Sequence, residues 1–183
     1  MLAALLLVVA IDQIPGLHFD ELNSISLAFK RGELDQGVQS YTGTLYYELA
    51  GAWMSVAGFT PRSLRLFSVL LNCLACVAAI ACVRRVAPGS TAGAWVGCLV
   101  ATSPPFVMKG RLGWEVTAMH PVLAAIGILA AVAAFQASRR RYEGAYALAA
   151  GIAFGAAASV HLSALPLLPA VVAAALVARG GSV

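Results

Sequence analysis

Charged side chains are scarce in this chain, so each one that falls beside an apolar run is a candidate for chemistry. Asp20 and Glu21 stand together in Gly16-Leu17-His18-Phe19-Asp20-Glu21, directly after the first apolar run. A carboxylate at a membrane surface can take the proton of an attacking hydroxyl, or help hold a divalent cation against a phosphate. Spacing alone leaves a solvated acidic loop as an equal reading. Arg62 and Arg65 precede the apolar run at 66–83, and Lys109 and Arg111 precede the run at 116–135. Guanidinium pairs well with phosphate oxygens, so such groups would stabilise a lipid phosphate as it departs. The bland alternative is snorkelling to lipid headgroups, and Arg65 and Arg111 are the better candidates for the sharper one. Glu115 and His120 lie near the start of a run, where ionisable groups are functional suspects by default. His161 sits at an expected helix end, where a structural role is the simpler reading.

Four cysteines, Cys73, Cys76, Cys82 and Cys98, all fall within apolar runs. Cys73 and Cys76 form a CxxC pair, but no second pair or nearby histidine completes a metal-ligand spacing. Packing inside helices is the reading for all four.

The elements that hold these residues are read from composition. Apolar residues make up 61% of the chain and charged ones 11%, against about 45–50% and about 25% in soluble domains. Runs of about 20 apolar residues cross a hydrocarbon core of about 30 Å as helices. The expected fold is therefore all-α, a polytopic transmembrane bundle, with spans at roughly 1–14, 66–83, 92–107, 116–135, 145–160 and 163–178. The first of these is short for a span, which favours a natural start further upstream. The last apolar stretch, 145–178, is too long for one crossing, and Pro166 and Pro169 divide it. Between the first two runs lies a long polar loop, 15–65. Within it, Leu45, Tyr46, Leu49, Trp53, Val56 and Ala57 recur at helical spacing, as in an amphipathic helix on the membrane surface. Gly93 with Gly97, and Gly151 with Gly155, are small-residue pairs that let helix backbones approach closely.

A net charge of +4 does not point to nucleic acid, because the basic residues cluster at the ends of apolar runs. Six of them, Arg84, Arg85, Arg139, Arg140, Arg141 and Arg179, fall on one expected side. The other six, Lys30, Arg31, Arg62, Arg65, Lys109 and Arg111, fall on the opposite side. The count is equal, but the first set sits mostly in short loops against helix ends, where the positive-inside bias acts most strongly. That places the first set in the cytoplasm and the long first loop outside, with every acidic residue except Glu143.

Five short motifs in order form a pattern. Phe19-Asp20-Glu21 comes first; then Tyr41-Thr42-Gly43-Thr44-Leu45-Tyr46-Tyr47 leads to Ser63-Leu64-Arg65-Leu66. Last comes Ala101-Thr102-Ser103-Pro104-Pro105, followed by Lys109-Gly110-Arg111-Leu112-Gly113-Trp114-Glu115. Together they resemble the GT-C membrane glycosyltransferases of the protein mannosyltransferase and aminoarabinose transferase type, over about Leu17 to Pro169. The resemblance implies transfer of a sugar from a polyprenyl-phosphate donor to a glycan, lipid or protein acceptor at the extracytoplasmic face, in an integral protein of a bacterial plasma membrane. By the same resemblance Asp20 is the catalytic base or a ligand of a divalent metal such as Mg or Mn. Glu21 is its catalytic neighbour, and Arg65 and Arg111 face the donor phosphate. Members of that group continue for several hundred residues and carry proline in the first loop, where this chain has Tyr41-Thr42-Gly43-Thr44-Leu45. These 183 residues are thus expected to be an amino-terminal portion of a larger module, for which activity in isolation does not follow.

Two other classes remain open: a membrane transporter, and a non-catalytic membrane subunit. Transporters tend to place ionisable groups near the bilayer midplane, often in matched repeats. In this sequence nearly all charges fall at expected helix ends, and no clear internal repeat is visible.

Overall fold

A computed structural model describes residues 1–13, 19–30, 44–161, 164–169 and 171. The regular elements among them are eight α-helices: α1 (Leu2–Val8), α2 (Phe19–Phe29), α3 (Leu45–Ala57), α4 (Pro61–Val86), α5 (Ala92–Thr102), α6 (Pro104–Lys109), α7 (Glu115–Phe135) and α8 (Arg140–Val160). Three stretches are long and apolar enough to cross a membrane: Pro61–Val86, Val116–Phe135 and Arg141–Val160. Their outward faces carry Leu74, Val77, Ile126, Leu148 and Ile152, side chains that lipid accommodates and water does not.

The helix α4 begins earlier than the apolar run at 66–83 implies. Thr60 caps it, its hydroxyl accepting from the Ser63 N–H at 3.1 Å, and Pro61 takes the first helical position, where its missing N–H costs nothing. Arg62 and Arg65 therefore lie inside the first turns of a helix instead of in the loop before it. At 26 residues the helix is about 39 Å long, and it ends on Arg84 and Arg85, whose charges suit the negative end of its dipole.

Asn72 of α4 reaches the Thr117 carbonyl near the start of α7. Gln136, just past the end of α7, donates to the Arg85 carbonyl near the end of α4. The two helices thus run parallel, and α8 returns antiparallel along α7 after the short turn at 136–139. Gly127 makes this hairpin tight: a Cβ there would come within 2.9 Å of the Phe154 ring.

The apolar run at 92–107 is not one helix. Ser103 is extended (φ −66°, ψ 129°), because the residue before a proline is pushed out of the helical region and Pro104 and Pro105 cannot donate to the preceding turn. α5 is 11 residues and α6 only 6. Gly93 and Gly97 do bring α5 close to α4, facing Arg84 and Ile80. The second pair behaves differently. A Cβ at Gly151 or Gly155 would meet nothing within 4 Å, so that pair packs no helix among the described residues.

At the amino terminus, helix forms over only seven residues, Leu2–Val8, about 10 Å of rise, and the chain then turns through Gln13. The surface helix expected near 45–57 is present as α3, but its inward face differs. Tyr46, Tyr47, Ala50 and Met54 are buried against Leu64, Ala118, Met119 and Val160, while Leu49 and Val56 are exposed. The large aromatics fill the groove beside α4, with Tyr46 and Trp53 both near Phe67. The Trp53 indole N–H donates to the Ser63 carbonyl at 2.9 Å. Most of the run at 163–178, the loop segments 14–18 and 31–43, and hence Tyr41-Thr42-Gly43, lie outside the described residues.

Candidate functional site

Glu21 sits in the first turn of α2 and is fully buried. Its two carboxylate oxygens meet the guanidinium of Arg65 side-on: Nε donates to Oε1 at 2.7 Å and Nη2 to Oε2 at 2.6 Å. Oε1 also accepts the Gly113 backbone N–H at 3.1 Å. Arg65, 2% exposed, donates from Nη1 to the Ile11 carbonyl at 2.5 Å. One ion pair therefore joins the turn after α1, the start of α2, the second turn of α4 and the turn before α7.

Burying two charges is costly, and the cost is offset only with good geometry and further hydrogen bonds. Both conditions hold, since the contact is bidentate and each partner has a backbone group as well. Gly113 is part of the reason this geometry exists. A Cβ there would lie 2.4 Å from Leu64 Cδ2, and Leu64 is itself buried. Only glycine lets the turn approach α4 closely enough for its N–H to reach Glu21.

Arg111 lies two residues before Gly113 and is also buried. Its Nη2 donates to the Leu6 carbonyl in α1. A helix leaves its last four carbonyls without intrahelical donors, and Arg111 supplies one for the last turn of α1.

Asn72 extends the polar face of α4 inward. Arg65, Ser68 and Asn72 recur at i, i+3 and i+7, one side of a helix, and all three are buried. The Asn72 amide donates to Thr117 O at 3.0 Å, to Ser68 O at 2.9 Å and, at 3.3 Å, to Gly110 O. The Thr117 contact has a specific cause. Pro121 lies inside α7 and has no N–H to give the carbonyl four residues earlier, which is Thr117. In a membrane a neighbouring helix must supply the missing donor, and here Asn72 does. Its contact with Gly110 also ties down the turn that carries Arg111 and Gly113.

Of the residues marked from sequence, Glu21 and Arg65 meet each other and Arg111 enters the adjacent turn. Asp20 lies beside Glu21 in the first turn of α2, its side chain outside the described residues. Arg62 is exposed and 3.8 Å from Asp12, a pair worth little. Lys109 is exposed at the end of α6, His120 is partly buried within α7, and His161 caps the end of α8. Asn72 and Gly113 carry the site and were not singled out as its residues. A lone asparagine in an apolar run, in helical phase with Arg65, was the available signal. Among the described residues, no cluster of three or more His, Cys, Asp or Glu side chains forms a metal-binding group.

Comparison with protein-family models, curated proteins and solved structures gave no match.

Proposed function

We propose that the chain is the amino-terminal part of a membrane glycosyltransferase that moves a sugar from a polyprenyl-phosphate donor to an acceptor at the extracytoplasmic face. One observation carries the reading. Three segments that support the GT-C resemblance, Phe19-Asp20-Glu21, Ser63-Leu64-Arg65-Leu66 and Lys109 to Glu115, meet through Glu21, although its partners Arg65 and Gly113 lie 44 and 92 residues away. Motifs drawn together at one end of a bundle are what a site built from several segments requires.

In this reading the acceptor hydroxyl attacks the anomeric carbon and the bond to the lipid phosphate breaks. Asp20 takes the hydroxyl proton, and the polyprenyl phosphate leaves with the bonding pair. Glu21 and Arg65 act as positioning residues, because both oxygens of Glu21 and three of the five N–H donors of Arg65 bind the protein. They clamp the helix that bears Asp20 onto α4. Arg111, on the same turn as Gly113, is the cation closest in sequence to this clamp on the side of α7, and it remains the candidate for the departing phosphate.

The test is sugar release from labelled polyprenyl-phosphate hexose and pentose donors by membranes containing the protein at its native length. Asp20→Asn is expected to lower transfer by about 10²-fold or more, the usual worth of a general base. Unchanged transfer in that variant sinks the proposal. Repeating the assay after EDTA, with Mg or Mn restored, separates a proton-accepting Asp20 from one that holds a divalent cation.

The mutual satisfaction of Glu21 and Arg65 also favours a second reading, a non-catalytic membrane subunit in which the clamp is purely structural. Absence of transfer by the native-length wild-type protein, with every donor tried, would select it.

A further inference from the structure

Helices α2 and α3 each present three faces, where a helix between protein and water needs only two. On α3, Tyr46, Ala50 and Met54 are buried in the core. Leu49 and Val56, seven residues apart and so on one strip of the helix, are exposed, Val56 at 91%. Glu48 and Ser55, one residue before each, form a second exposed strip about 100° round the axis, and that strip is polar. The same order recurs on α2. Ser24 and Ala28 are buried, Leu22 and Phe29 are an exposed apolar pair seven residues apart, and Asn23 and Lys30, one residue after each, are exposed and polar.

What meets the apolar strips follows from where they lie. The inward face of α3 packs on Leu64 near the start of α4, Met119 near the start of α7 and Val160 at the end of α8, so α3 lies at one end of the bundle. Phe59 follows α3 and stands two residues before Pro61, the first residue of the membrane-length helix α4. With 26 residues, α4 is about 39 Å long, close to the 40–45 Å of a bilayer with its headgroups. Its first turn, and Phe59 beside it, therefore fall at headgroup depth. The Phe29 ring meets the Phe59 ring edge-on, centroids 5.2 Å apart, which brings the end of α2 to the same depth. Both rings are exposed, and aromatic and leucine side chains on one strip of a helix are what an interfacial helix turns toward acyl chains.

We infer that α2 and α3 are seated in the phospholipid interface, with Leu22, Phe29, Leu49, Val56 and Phe59 against acyl chains and the Asn23–Lys30 and Glu48–Ser55 strips in water. Each helix thus lies where bundle, lipid and water meet, and each of its three faces has its own neighbour. Because Glu21 ties α2 to Arg65 of α4, the helix that carries Asp20 is fixed at the depth of lipid headgroups. The inference needs the helices alone, so its test stands apart from that of sugar transfer.

The experiment is photo-crosslinking of the whole chain in vesicles of dioleoyl phosphatidylcholine, with p-benzoylphenylalanine placed in turn at Phe29, Val56, Asn23 and Ser55 and the adducts identified by mass spectrometry. All four positions are exposed, so the fold accommodates the probe. Phe29 and Val56 are expected to give at least about tenfold more lipid adduct than Asn23 and Ser55, since an apolar side chain of this size prefers apolar surroundings to water by that factor or more. Equal lipid adduct at the apolar and the polar positions overturns the seating. Adducts joining Val56 or Phe29 to a second copy of the chain also overturn it, by giving the apolar strips to protein.

Discussion

The two ends of α4 handle positive charge in opposite ways. At its start, Arg65 is buried, bidentate on Glu21 and donating to the Ile11 carbonyl, while Glu21 in turn accepts from the Gly113 N–H. At its end, Arg84 and Arg85 are exposed, and Arg85 lies over an aromatic ring. The same residue type is thus a cross-link at one end and a surface anchor at the other. The surroundings decide which. Near Arg65, α1 and α2 and the turn before α7 close over the helix and exclude water. Near Arg84 and Arg85, α5 approaches at Gly93 and the α7–α8 turn at Gln136, yet both arginines stay exposed. A charge can be buried only where ionic and hydrogen-bonding partners arrive from elsewhere in the chain, as Glu21 and the Ile11 carbonyl do at the first end.

The largest effect expected from this contrast is at Arg65. R65M leaves the Glu21 carboxylate buried without its ion partner and is expected to cost about 3–5 kcal/mol, read from thermal or denaturant unfolding in detergent. Adding E21Q should recover much of that loss, because the stranded charge is gone. If R65M and the R65M/E21Q pair unfold alike, the ion pair is not what closes this end. G113A comes next, at about 1–3 kcal/mol, since its methyl collides with Leu64 and moves the N–H away from Glu21. A G113A protein with wild-type stability would show that the turn has room the geometry denies.

N72L is expected to cost about 0.6–2 kcal/mol, the span found for interhelical hydrogen bonds in membranes. The cycle with P121A sharpens it, because an alanine restores the α7 donor to Thr117 and N72L should then cost less. Equal cost in both backgrounds would break the link between Pro121 and Asn72. Smallest is the pair R84Q and R85Q, expected within about 0.5 kcal/mol, as for exposed surface changes. A loss comparable to that of R65M would erase the contrast between the two ends.

Much of this arrangement was legible before any coordinates. The scarcity of charge marked a helical membrane protein, and the runs at 66–83, 116–135 and 145–160 all fall within the three long apolar helices. Gly93 and Gly97 were read as a close-approach pair and are one. Gly151 and Gly155 have the same spacing but face open space, because spacing specifies a helix face and not what stands opposite it. The inward face of α3 was missed for a related reason. Hydrophobicity alone could not separate Leu49 and Val56, which turn outward, from Tyr46 and Met54, which meet α4 and α7. The break at Ser103 was signalled by Pro104 and Pro105, but its outcome, two short helices in place of one run, depends on how the chain then reaches the polar end.

By itself the sequence determined an all-helical chain with helices apolar enough to cross a membrane, the cores of the three long ones, and the shortlist Asp20, Glu21, Arg65 and Arg111. Those depend on composition, hydropathy and local backbone chemistry, which neighbouring residues fix among themselves. Only the tertiary structure decided that Glu21 and Arg65 belong to each other, that Gly113 must be glycine, and that Asn72 answers the donor missing at Pro121. Each of these is a contact between segments tens of residues apart, and no local pattern records which distant carbonyl or carboxylate a buried side chain will meet.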